Sequence, residues 1–197
     1  MKQKMNKLIV ISGPSGVGKG TIESILLKNN KLPIKLAISA TTRQKRANEI
    51  DGVSYFFLDH ETFKEKIKNN EFIEWSCHLD NYYGTLESQI QYIQDQNFIP
   101  LLEIDTNGAK NIIENYKKNN QLDKILTIFI LPPSLEVLKN RIENRLTETS
   151  NQIDLRLKKA ESEIKIKDLF KFQVVNDNLE QCVDEIEKII ITEIKEL

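Results

Sequence analysis

Cysteine, tryptophan, glycine and arginine are all scarce in this chain. Its 197 residues include two cysteines, one tryptophan, seven glycines and five prolines. Cys77 and Cys182 form neither a CxxC pair nor a metal-ligand spacing, and are expected as buried, reduced thiols. No low-complexity tract and no internal repeat is present, which excludes solenoids and linker-rich arrays. No stretch reaches the roughly 18 apolar residues that a membrane span needs. The basic start, Met1 to Lys7, precedes an apolar run, Leu8–Ile11, too short for a secretion signal. Neither charge sign is in excess: 28 Lys+Arg face 29 Asp+Glu, a net charge of −1. That balance argues against a dedicated nucleic-acid surface. Arginine is the rare cation, with Arg43, Arg46, Arg141, Arg145 and Arg156 set against 23 lysines. What remains is ordinary for a globular protein, 40% hydrophobic and 29% charged, with enough chain for one domain and a proper core. The expected compartment is the cytoplasm.

Apolar runs alternate with helical patterns. Leu8–Ser12 reads as a buried strand, followed by a glycine-rich stretch and a helical pattern from Thr21 to Lys28. Ile34–Thr42 reads as a second strand, Gln44–Val53 as turns, and Tyr55–Leu58 as a third strand. Asp59 is placed to cap a helix through Ile67. Glu71–Cys77 reads as a strand, Asn81–Thr85 as a turn, and Leu86–Gln96 as a helix. Phe98–Asp105 is apolar until Glu103 and Asp105, and a helix over Asn107–Lys118 follows. Ile125–Leu131 is a fully apolar strand ended by Pro132-Pro133, after which Ser134 caps a helix carrying Leu135, Leu138 and Ile142. Thr147–Gln152 is polar and separates that helix from another charged one. Gln173–Asn176 is a short last strand, and Val183, Ile186, Ile189 and Ile190 mark a C-terminal helix. This order predicts an α/β fold with a mostly parallel sheet, whose ligands sit at the carboxyl ends of the strands. The segment from Ser39 to Thr85, with short strands rich in Tyr and Phe, is expected as a separate small lobe.

Gly13-Pro14-Ser15-Gly16-Val17-Gly18-Lys19-Gly20-Thr21 matches G-x-x-x-x-G-K between a strand and a helix. Glycines let backbone N–H groups turn around phosphate oxygens, the helix N-terminus adds its positive end, and Lys19 reaches the β- and γ-phosphates. The residue after Lys19 is Gly20, and the hydroxyl arrives one position later, at Thr21.

Further blocks follow in order: Ser39-Ala40-Thr41-Thr42-Arg43-Gln44-Lys45-Arg46, Gly52–Phe57, Glu71–Trp75, Asn81-Tyr82-Tyr83-Gly84-Thr85, Leu102–Asp105, Pro132–Ser134 and Val175-Asn176-Asp177. With these seven blocks the sequence closely resembles the guanylate kinases along essentially its whole length. The resemblance implies a P-loop NTPase-type three-layer fold with a central parallel sheet, a small mixed β-rich GMP-binding lobe and a helical lid. It implies a single domain over 1–197, with the core at about 1–38, 92–140 and 159–197, the lobe at about 39–91 and the lid at about 141–158. The implied activity is magnesium-dependent phosphoryl transfer from ATP to GMP, and to dGMP.

The implied GMP phosphate site is Arg43 and Arg46 with the hydroxyls of Tyr55 and Tyr83, since guanidinium forks and phenols suit a dianionic phosphate. The guanine base would be read by Glu74, Ser39, Thr85 and Glu103, with Gly84 in the same block. Guanine offers N1–H and N2–H₂ donors to a carboxylate, whereas adenine presents an acceptor there. ATP would lie on residues Gly13 to Thr21, with Asn176 near the adenine. Lys19, Arg43, Arg141, Arg145 and Arg156 would carry the transfer, Arg141 and Arg145 sharing a helix face at i, i+4. Asp105 would order magnesium indirectly, through water. GMP and ATP are the expected partners, with no nucleic acid and no membrane, and the protein is expected as a monomer or homodimer. His60 and His78 receive no role, and Trp75 is expected in the core. Departures from the family pattern are Lys45, Asn48, Asp80, Asn107 and Leu146, none of which removes a charged group. Two other readings stay open: a non-catalytic guanylate-kinase-like binding module, and a related kinase acting on a sugar phosphate.

Overall fold

The structure is a computed structural model and describes residues 7–29, 31–78, 80–143 and 150–195. Its spine is β1 (Leu8–Ser12), an unbroken apolar run apart from Ser12 and buried at every position. β1 pairs in parallel with β7 (Ile99–Glu103) and β8 (Ile125–Leu131), and the sheet is completed by β2 (Ile34–Leu36) beside β7 and β9 (Phe172–Val175) beside β8. The register places Ile9 opposite Leu101 and Leu126.

Strand side chains alternate between faces, so each face of this sheet has its own core. Ile9 and Ile11 face α1 (Lys19–Leu26) and α7 (Leu179–Lys195), meeting Ile22, Leu26, Ile186 and Ile190. Leu8 and Val10 face α3 (Glu87–Asp95) and α4 (Thr106–Lys118), meeting Ile93 and Ile112. The result is helix, sheet, helix in three layers. α5 (Leu135–Glu143) and α6 (Ser150–Ile164) join through a smaller cluster of Leu138, Ile142 and Ala160. Among the described residues no helix is long and apolar enough to cross a membrane.

A second, mixed sheet has the order β4-β3-β6-β5, from β3 (Ala40–Thr41), β4 (Phe56–Phe57), β5 (Phe72–His78) and β6 (Asn81–Leu86). α2 (His60–Lys68) flanks it, capped by the Asp59 carboxylate, which accepts from Thr62 N at 2.7 Å. Phe63 of α2 stacks on Phe72 and Tyr82.

Four expectations need correction. The single strand Ile34–Thr42 is two strands in different sheets: Ala37 N still bonds Leu101 O, but the Thr41 hydroxyl donates to Tyr82 O across the second sheet. An apolar run does not say which neighbour each of its ends will pair with. Asn81–Thr85 is strand, not turn, with Tyr82 and Tyr83 opposite Cys77 and Ser76. The reversal falls earlier, at Asp80, whose φ is +62°. Cys77 is exposed rather than buried, although Cys182 is buried as expected. Trp75 is 39% exposed. The last two share a cause. β5 turns Glu74 and Ser76 inward, so alternation turns Trp75 and Cys77 outward. A strand with its polar residues inside is lining something other than an apolar core.

Candidate active site

The carboxyl ends of β1 and β7 open on a cleft that the second sheet and α6 border, a cavity of about 600 Å³. At one end is the loop between β1 and α1. Gly18 is the N-cap of α1 with φ +103°, a left-handed conformation that glycine adopts without strain. Lys19 opens the helix, and its Nζ folds back to donate to Gly13 O at 2.7 Å and Pro14 O at 3.3 Å. Burial lowers the pKa of this ammonium, while Glu103, Glu163 and Asp105 pull it back up. Gly20 and Thr21 line the same cavity, with Thr21 exposed.

At the other end is Glu74, 5% exposed. Thr85 Oγ1 donates to its Oε1 at 2.9 Å, and Ser39 Oγ lies 3.4 Å from Thr85 Oγ1. Its Oε2 lies where a side chain on Gly108 would stand, so α4 can approach the carboxylate only through a glycine. Burial pushes Glu74 up to about 7, opposed by the Thr85 hydrogen bond and reinforced by Asp105.

The two carboxylates at the end of β7 and just beyond it sit at different ends of the cleft from those expected. Asp105 is the neighbour of Glu74, and both its oxygens are engaged. Oδ1 caps α4 by accepting from Asn107 N and Gly108 N, each at 2.8 Å, and Oδ2 accepts the Ser76 hydroxyl at 2.6 Å. Glu103 is on the loop side, 3.9 Å from Lys19 Nζ. Glu103 ends the strand whereas Asp105 begins the helix, and the chain bends between them. Sequence spacing does not reveal that bend.

Between the two ends, Tyr55 and Tyr83 meet edge to face at 6.3 Å, both lining the cavity with Gly84. The Arg43 guanidinium lies over the rings of Tyr55 and Phe57. Arg46 is exposed, and its backbone N–H donates to Glu49. Arg141 reaches from α5 to the end of β9, where its NH2 donates to Asn176 O at 2.9 Å. Asn176 is buried, and its Nδ2 donates to Val17 O at 2.8 Å, which ties β9 to the loop. Arg156 is half-buried on α6. Arg145 lies outside the described residues.

Several lining residues carried no sequence signal. Glu163 of α6 accepts from Ser15 N at 3.2 Å, and Lys159 lies 3.2 Å from His78 Nδ1. Gly108 and Ser76 likewise act by fit, which only three-dimensional neighbours disclose. Among the described residues no group of three acidic, His or Cys side chains could hold a metal ion.

A family model described as guanylate kinase matches residues 5–193. The chain belongs to the guanylate kinase family. It is 74% identical over 195 residues to the guanylate kinase of Mesomycoplasma hyopneumoniae strain J, covering 99% of each chain. Against the Mycoplasma mobile guanylate kinase it is 51% identical over 191 residues, 97% of this chain and 95% of that one. The crystal structure of guanylate kinase from Anaplasma phagocytophilum superposes with a TM-score of 0.74 at 30% identity, over 95% of this chain and 85% of that one. Membership extends over loop, second sheet and α6 alike, so both ends of the cleft belong to the family's architecture. Guanylate kinases are nucleoside-monophosphate kinases, and the arrangement here of a phosphate loop facing a buried carboxylate fits a two-nucleotide cleft.

Proposed function

We propose that this protein transfers the γ-phosphoryl group of ATP to GMP, and to dGMP, giving ADP and GDP. The observation that carries the reading is Glu74: a buried carboxylate held by Thr85, sharing one cavity with Lys19 of the phosphate loop. Glu74 accepts the N1–H and N2–H₂ donors of guanine, with Asp105 beside it, the Thr85 hydroxyl holding Oε1 and Ser39 serving O6. A GMP phosphate oxygen attacks the γ-phosphorus while the bond to the β,γ-bridging oxygen breaks, and ADP leaves with that oxygen's electron pair. The attacking oxygen is already anionic, so no strong general base is required. Lys19 leaves its two loop carbonyls to neutralise the migrating group, with Arg141, Arg145 and Arg156 closing from the lid. Asn176 acts by holding Val17, and its backbone borders the adenine.

Magnesium arriving with ATP would offset the charge of the phosphate oxygens. The residues fit an ion carried mainly by nucleotide and water. Glu103, beside Lys19, is the carboxylate that would reach its water shell, whereas Asp105 has its oxygens engaged. The lobe at about 39–91 and the lid at about 141–158, of which 144–149 lie outside the described residues, are parts of a single domain. The working partners are the two nucleotides rather than nucleic acid or a membrane. The compartment is the cytoplasm and the assembly a monomer or homodimer. A binding-module reading is not favoured, because the glycines and Lys19 of the loop are intact.

A coupled assay with ATP and each of GMP, dGMP, AMP, CMP and UMP tests the reading. Turnover of the two guanine nucleotides is expected, and equal activity on AMP would overturn it. Binding of GMP should also depend on pH. Glu74 titrates at about 7 and must be ionised to accept two donors. GMP affinity should therefore rise between about pH 6 and 8, approaching tenfold per unit below 7. The nucleotide phosphate's own second ionisation, near 6, lies at the foot of that window. A flat calorimetric profile from pH 6.5 to 8 would refute the assignment. Arg43→Lys should raise the GMP KM by about tenfold, since lysine has no planar fork and 1.4 kcal/mol is a factor of ten. Steady-state kinetics with an unchanged GMP KM would contradict that role.

A further inference from the structure

The loop between Thr42 and Asp51 carries a carboxylate to which neither composition nor family motif gave a role. Arg43 NH2 donates to Glu49 Oε1 at 2.7 Å and NH1 donates to Oε2 at 3.0 Å. The same Oε2 accepts Arg46 N–H at 2.8 Å. One side chain thus organises both arginines assigned to the GMP phosphate. The pair is largely shielded, with side-chain exposures of 17% for Arg43 and 16% for Glu49. The Arg43 hydrogen bond, followed by the Arg46 backbone bond, holds Glu49 down at about 2, so it is an anion at every working pH.

The guanidinium is fixed from other sides as well. Arg43 NH1 spends its second proton on Gln44 O at 2.7 Å. The plane rests on the faces of Tyr55 and Phe57, at 5.5 and 5.9 Å from the ring centres. Glu49 chiefly, and Tyr83 to a smaller extent, raise the pKa of this guanidinium. An arginine has five N–H donors in a rigid fork. Glu49 and Gln44 O take three of them: both on NH1 and one on NH2. The Nε–H and the outer NH2 proton are left over from these bonds.

The geometry points to Glu49 as a positioning residue for the acceptor nucleotide: it occupies the NH1/NH2 end of Arg43 and so presents the Nε/NH2 edge to the GMP phosphate. A carboxylate held end-on and a phosphate taken side-on use different proton pairs of one guanidinium, sharing only the NH2 nitrogen. Both anions can therefore be bound at once. Freed from Glu49, the long arginine side chain would spread over several rotamers, and ordering it would weigh against GMP binding. The Arg46 segment would lose its anchor in the same step.

This inference rests on the GMP reading above and is tested on its own by steady-state kinetics of Glu49→Gln and Glu49→Asp. Glutamine keeps an acceptor for Arg46 N–H but cannot pair with the fork as a charged bidentate partner. The expected result is a GMP KM raised about tenfold in Glu49→Gln, partly restored in Glu49→Asp. The ATP KM should stay within about twofold, since nothing in the phosphate loop touches Glu49. In an Arg43→Ala background, Glu49→Gln should add less than about twofold, because the carboxylate acts through that arginine. A lower GMP KM in Glu49→Gln would overturn the inference, showing that Glu49 competes with the phosphate for the fork. So would an unchanged GMP KM, or GMP and ATP KM values rising together, which would mark Glu49 as a general loop staple. Should Glu49→Gln fail to fold, Glu49→Asp carries the test, with the same direction and a smaller rise. Failure of the GMP reading itself looks different: the unaltered protein would show no preference for guanine.

Discussion

Lys19→Met should lower kcat about a thousandfold while leaving GMP affinity within about twofold. Removing one preorganised donor aimed at developing charge costs 10²–10³ in rate, and a full cation in a shielded site is worth the upper part of that range. The size of the effect follows from placement. Lys19 is the first residue of α1, its ammonium lies against the loop carbonyls, and acidic groups on three elements sustain its charge. No other cation begins that helix. Methionine preserves the length of the stem and its packing, so the loss reports the charge. The separation between kcat and GMP binding is the diagnostic part, because Glu74 lies at the other end of the cavity. Single-turnover transfer, alongside calorimetric GMP binding, checks both halves. A tenfold loss or less would mean that charge neutralisation comes chiefly from the lid arginines.

The second large effect belongs to Glu74. Glu74→Gln should lower kcat/KM for GMP about 10³-fold and narrow its preference over AMP, with the ATP KM unchanged. A site built to receive specific N–H donors rejects ligands lacking them by large factors, because its own buried polar atoms are then left unpaired. Glutamine turns one of the two acceptors into a donor facing a donor. Stability provides an internal control. The folded-state pKa of Glu74 is raised from 4.5 to about 7, so the folded protein binds the extra proton. That contribution is fully present below about pH 4.5 and is lost as pH rises through 7. The loss is on the order of 3 kcal/mol for a shift of this size. Glutamine carries no such charge and should be the more stable variant at pH 8. A variant that melts higher and turns over slower cannot owe its slowness to misfolding. Unaltered discrimination in a nucleotide panel would remove Glu74 from base recognition.

Legibility from the sequence divides along a physical line. β1 and β8 were readable because burial on both faces demands an unbroken apolar run. The phosphate loop was readable because its parts are contiguous: the glycines, the lysine and the helix start fall within nine residues. What escaped depends on approach rather than adjacency. Glu49 meets Arg43 across an irregular loop with no period to announce it. Gly108 matters because of a carboxylate from another sheet, and Glu163 because α6 comes down on Ser15. The exchange of Glu103 and Asp105 has the same origin, since a strand end and a helix cap send residues two apart to different ends of one cleft. The aromatic block at Tyr82 and Tyr83 misled for another reason. Its Asn and Gly suggest a turn, but its tyrosines form a ladder with β5. The rarity of arginine singles out Arg43, whose planar fork pairs end-on with Glu49 in a way that lysine could not.

A crystal structure of the protein with GMP bound tests the central claim most directly. Guanine N1 and N2 are expected on the Glu74 carboxylate with Asp105 alongside, and the phosphate among Arg46, Tyr55, Tyr83 and the Nε/NH2 edge of an Arg43 still paired to Glu49. Guanine seated away from Glu74, or a phosphate bound at Lys19 with Arg43 untouched, would contradict it.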